Sequence, residues 1–68
     1  MLDSTKQLLD WFRKEAVNLP DEQKNEINFI ISGDNARIIF LRLDEISKNY
    51  ALSRIWKDKI EEYYNRIF

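Results

Sequence analysis

The sequence predicts an all-α fold, a compact domain of four helices, on three observations. Apolar residues recur at helical spacing along most of the chain, the one Pro and the one Gly both fall between such stretches, and residues suited to helix caps stand at the breaks. The helices expected from these signals cover about residues 4–18, 21–32, 35–49 and 53–67.

The first opens at Ser4 with Gln7 three residues on, the pattern of a capping box in which each side chain satisfies a free backbone N–H. Leu8, Leu9, Phe12, Ala16 and Leu19 then share one face, Trp11 stands at its edge, and Lys6, Asp10, Arg13 and Lys14 fall opposite. Leu19-Pro20-Asp21-Glu22 reads as the start of the second helix, because proline gives up no useful donor there and the acids favour the positive end of the helix dipole. Gly33 is expected to end it, facing solvent with positive φ. Only Ile27, Ile30 and Ile31 share a face in this segment, and Phe29 points away from them.

Asp34 or Asn35 can cap the third helix, along which Ala36, Ile39, Phe40, Leu43, Ile46, Ser47 and Tyr50 form a sustained stripe. Ser53 can cap the fourth, with Trp56, Ile60, Tyr63, Tyr64 and Ile67 on one face and Arg54, Asp58, Glu62 and Asn65 on the other. Phe12, Phe40, Leu43, Ile46, Trp56 and Ile60 are the expected shared core. An α+β alternative competes: residues 26–32 and 36–43 are Ile-rich runs flanking Gly33-Asp34-Asn35, which is also how a β-hairpin between two helices looks. Against it, the chain has one Val and one Thr, and both faces of the second run would be apolar.

Sixty-eight residues suffice for a single small domain, residues 1–68, and leave its core marginal. A hydrophobic content of 44% with nine aromatics still argues for a folded chain. With no Cys there is neither disulfide nor thiolate, and with no His the commonest neutral-pH acid–base group and zinc ligand are missing. The net charge of −1 is spread evenly and offers no field for nucleic acid or an anionic membrane. The longest apolar run, Ile38-Ile39-Phe40-Leu41, is far short of the roughly 20 residues that span a bilayer. No membrane partner and a cytoplasmic location are the expectations.

Candidates for chemistry are weak. The carboxylate pairs Asp58/Glu62, Asp21/Glu22, Asp44/Glu45 and Glu61/Glu62 sit on polar faces beside Lys and Arg, where a solvated surface is the better account than a hydrolase pair. Asp34-Asn35 lacks the further oxygen ligands of a calcium loop, no Ser has a His partner, and one glycine makes no phosphate loop. A non-enzyme with no catalytic residue, no metal site and no cofactor is the expectation.

The run from Leu43 to Arg54 carries a more specific pattern, with small residues at Ser47 and Ala51, apolar Leu52, and Ser53 opening a segment that bears Arg54, Lys57 and Ile60. It resembles the first helix and turn of a helix-turn-helix. That resemblance implies a DNA-binding regulator using residues 43–66, with Arg54 and Lys57 on the nucleic acid. Lys57 stands where the motif is usually apolar, Ala51 replaces its common Gly, and Asp58, Glu61 and Glu62 would face phosphates. A plain helix-loop-helix packing unit is the preferred reading, and DNA the less favoured partner.

The remaining signal is an excess of apolar side chains. Val17, Phe29, Ile38, Leu41 and Ile55 fall off the main stripes, and Ile38 and Leu41, three apart, form a second strip on the third helix. Either that helix is buried on both sides or the strip meets a partner. The function expected is a protein–protein interaction module, an adaptor, regulator or inhibitor of a larger protein, with a homodimer as one form. Ile38, Leu41, Trp11 and Tyr64 are its candidate contact residues.

Overall fold

The computed structural model describes residues 3–67 and consists of α1 (Asp3–Ala16), α2 (Asp21–Ile31), α3 (Ala36–Asn49) and α4 (Arg54–Ile67). Each helix packs on its neighbours in sequence, and α4 returns to α1, so the four close into a ring around one core. The globule measures 31 × 22 × 17 Å. Among the described residues there is no strand, and the hairpin alternative is not formed. The reason is legible in α2: Ile27 and Ile31 are both buried while Phe29, which strand alternation would place beside them, is exposed.

Burial follows the expected stripes. Leu8, Leu9, Phe12 and Ala16 from α1, Ile27 and Ile31 from α2, Ile39, Phe40, Leu43 and Ile46 from α3, and Trp56, Ile60 and Tyr63 from α4 form the core. Its centre is aromatic. Phe12 meets Phe40 at 5.9 Å and Trp56 at 5.3 Å between ring centroids, and Phe40 stacks on Tyr63 at 3.9 Å. Such contacts add to the burial of large apolar area, which is what lets so short a chain hold together without a disulfide. The side chain of Ile67, last of the expected α4 stripe, lies outside the described residues. Thr5, on no expected stripe, is buried as well.

The helix ends depart from the sequence reading in three places. Asp3 is already helical, so Ser4 lies inside α1 and does not cap it. α1 stops at Ala16, two residues early, and the chain turns through i to i+3 bonds from Asn18 and Leu19 N–H to the Glu15 and Ala16 carbonyls. Gly33 faces solvent just beyond α2 but does not have positive φ. That helix ends instead with Ser32 still right-handed (φ −72°, ψ −5°) and Gly33 N–H bonded to the Ile30 carbonyl at 3.2 Å, a tightened last turn that needs no left-handed residue.

Two helix starts, those of α2 and α3, match their signals. Pro20 immediately precedes α2, and its carbonyl accepts the first helical bond, from Lys24 N–H at 2.9 Å. Asn35 caps α3, its side-chain oxygen accepting from Arg37 N–H at 3.0 Å and Ile38 N–H at 3.4 Å. Among the described residues the left-handed one is Ala51 (φ 50°) at the end of α3. Leu52 N–H bonds back to the Ser47 carbonyl and Ala51 N–H to that of Lys48, the paired bonds of a Schellman ending built on alanine.

Candidate functional site

Two grooves flank α3. The first lies between α2 and α3, has a volume of about 560 Å³, and is open to solvent. Phe29 and Ile38 line it, 80% and 50% exposed, above a floor of Ile30, Ile39 and Gly33, with Glu26, Asp34 and Arg42 at its margins. Leu41, 53% exposed, sits one turn along α3 from Ile38 and extends the apolar surface. Ile38 and Leu41 are therefore not buried on the back of α3. Phe29 reaches this position because Ile27 and Ile31 take the core face of α2 and leave the intervening residue on the other side.

Glu26 is held at the groove margin by the Tyr50 hydroxyl, which donates to its carboxylate from the end of α3. That hydrogen bond, followed by burial and the charges of Glu26 and Glu22, raises the Tyr50 phenol above its ordinary value. Arg42 is exposed, and among the described residues no acid of its own chain pairs with it.

The second groove lies between α3 and α4, with a volume of about 420 Å³, and is charged. Lys48, Arg54, Lys57, Asp58 and Glu61 line it together with Ser47, Leu52 and Ser53. Arg54 and Lys57, the candidate nucleic-acid contacts, are thus both exposed and on one surface. Asp58 and Glu61 share it with them, and Lys48 is drawn to Asp44 at 3.2 Å. Trp56 and Ile60 are the buried residues of α4, so Lys57 is turned outward where the helix-turn-helix pattern would bury an apolar side chain.

Trp11 and Tyr64 are not brought to either groove. Trp11 is half-buried on the α1–α4 side, 5.8 Å from Trp56, with the Lys59 ammonium 5.5 Å above its ring. Tyr64 is half-buried and meets Tyr63 edge-on at 5.4 Å, and burial, then the charge of Asp44, raises its phenol above the ordinary value. Val17 and Ile55 are exposed but line neither groove. Of the paired acids, Asp21 meets Lys24, Asp44 meets Lys48, and Glu62 meets both Lys59 and Arg66, while Asp10 meets Arg13 on α1. No cluster of three or more metal-ligating side chains occurs among the described residues, and no helix there is long and apolar enough to cross a membrane.

The residue that the sequence reading left out of its contact set is Phe29. Its signal was present, since it points away from the three Ile residues of its helix, but a lone off-stripe aromatic gains meaning only when folding sets Ile38 beside it. Family models, curated proteins and solved structures were all compared with this chain, and none matches it.

Proposed function

We propose that this chain is a protein-binding module whose contact surface is the α2–α3 groove, working as an adaptor, regulator or inhibitor rather than by catalysis. The observation that carries this reading is the convergence of Phe29 and Ile38, two large apolar side chains at least half exposed in one groove of a 68-residue chain, with exposed Leu41 one turn along the helix from Ile38. Water-exposed apolar groups gain free energy of roughly 25 cal/mol per Å² when a partner covers them, and grouped apolar surface edged by charge is the usual form of an interaction site. A buried aromatic anchor and an arginine at the margin are the residue types that dominate such interfaces.

A DNA-binding regulator is the second reading. The left-handed Ala51 turn and the common surface of Arg54 and Lys57 favour it. It ranks lower because Asp58 and Glu61 in the same groove would repel phosphates, and because a chain of net charge −1 gains little from counterion release.

The test compares Ile38→Asp plus Leu41→Asp with Arg54→Ala plus Lys57→Ala, after circular dichroism has established that both remain helical. Loss of partner binding in the first pair alone is the expected result. Tight, salt-sensitive binding to duplex DNA, abolished by the second pair alone, would overturn the protein-binding reading.

A further inference from the structure

Asp34 in the turn before α3, and Ile38 and Arg42 on α3, stand four residues apart in sequence, and all three line the apolar groove. In sequence the acid precedes Ile38 by four residues, from the turn before the helix, and the base follows it by four on the helix. An isologous two-fold contact pairs residue i with j and j with i, so a surface that carries an acid and a base on either side of an apolar centre can be complementary to itself. From this arrangement we infer that the occupant of the groove is a second copy of this chain, with the two α3 helices crossing antiparallel at Ile38 so that Arg42 of each meets Asp34 of the partner subunit. The inference rests on the protein-binding reading and narrows it to a homodimer of stated register.

Gly33 supplies an independent argument. Neither backbone nor packing requires glycine there: φ is not positive, and an added Cβ would meet the Ile30 carbonyl oxygen at 3.4 Å and Ile39 Cγ1 at 3.6 Å, ordinary contact distances. Both neighbours line the α2–α3 groove, as Gly33 itself does, so an added methyl would narrow it there, although Gly33 also borders a groove against α1. What glycine provides is depth for an incoming apolar side chain. A surface of this size built only for water would gain nothing from that depth.

Self-association is tested by sedimentation equilibrium across a concentration series, with circular dichroism confirming the fold of every variant. The parent is expected to be a dimer that dissociates on dilution, and Ile38→Asp a helical monomer. Arg42→Asp alone should weaken the dimer about tenfold or more, because each two-fold contact loses two attractive pairs and gains two repulsions. Adding Asp34→Arg to it should restore most of the affinity, since the double variant carries the same pairs reversed. A parent that stays monomeric at every concentration overturns the second-copy proposal while leaving the groove reading to be judged by the partner-binding comparison above. A dimer untouched by Ile38→Asp also overturns the second-copy proposal, because association then uses another face, and likewise leaves the groove reading to that comparison. A dimer broken by Ile38→Asp but not rescued by the charge reversal overturns the antiparallel register.

Discussion

The α2–α3 and α3–α4 connections are both short turns between helices, they share α3, and their residues and backbones are opposed. The first contains the only glycine of the chain in a conformation that alanine could adopt, whereas the second contains an alanine in the left-handed conformation that glycine adopts most easily. Their outer surfaces are opposed too, apolar around Phe29 and Ile38 and charged around Arg54, Lys57, Asp58 and Glu61. Backbone strain alone would have assigned the glycine to the second turn. Its presence in the first leaves the surface there without a side chain, and the same contrast separates an apolar groove from a charged one.

Helix α3 is held between α2 and α4, and the largest expected effect comes from removing that anchor. Phe40 is fully buried, 5.9 Å from Phe12 and stacked on Tyr63, so Phe40→Ala removes a ring that joins three helices. A loss of about 3–5 kcal/mol is expected by chemical denaturation, close to the whole stability of a chain this small. A variant that unfolded at the parent's denaturant midpoint would show that α3 is not the common support of both grooves.

Exchanging the turn residues addresses the contrast itself. Ala51→Gly relieves the left-handed strain at the end of α3 and loses part of the gain to a more flexible unfolded chain, giving a net stabilisation of about 0.5–1 kcal/mol. Gly33→Ala is expected to stabilise by a similar amount, about 0.4–1 kcal/mol, because its backbone suits alanine and nothing stands closer than 3.4 Å. Both are read from denaturant midpoints at dilution, where self-association does not contribute. Destabilisation by Gly33→Ala would mean that the first turn does need glycine, and the argument for groove depth would fall with it.

How far the sequence reveals the molecule follows the same division. Burial in a helix repeats with the backbone period, so the stripes of α1, α3 and α4 and the aromatic core could be read directly from Phe12, Phe40, Trp56 and their neighbours. Helix α2, with three Ile on a face, is hard to tell from a strand by sequence, and the burial of Ile27 and Ile31 with Phe29 exposed is what distinguishes the two. Helix ends were less legible because several hydrogen-bonding solutions satisfy the same orphan groups. Asn35 caps as its side chain suggests, but Ser4 is absorbed into α1, and α2 ends in a tightened turn rather than on a left-handed glycine. Of the candidate contacts, Ile38 and Leu41 were readable as off-stripe residues of a single helix. The groove was not, since its second wall is Phe29 on another helix and its depth depends on a missing side chain.

The smallest expected effects come from the two tyrosines that tie α3 to its neighbours on either side of this contrast. Tyr50 donates to Glu26 on α2, while Tyr64 of α4 is partly buried near Asp44 of α3, and both phenols are raised above the ordinary value of 10.0. A raised folded-state value means that the native chain holds the proton more tightly than the unfolded chain does. The resulting stabilisation is fully present below the unfolded value and is lost as pH rises through the folded one. Stability of the parent should therefore decline as pH climbs above about 10. Tyr64→Phe should flatten that decline by removing a phenol whose neutral form is favoured first by burial, and Tyr50→Phe should flatten it by removing the hydrogen bond to Glu26. The measurement is the denaturant midpoint across this alkaline range for the parent and the two variants. An unchanged slope in Tyr50→Phe would show that the Tyr50–Glu26 bond does not secure the groove margin, leaving Glu26 free to turn toward Arg42 and weakening the assignment of Arg42 to a partner's acid.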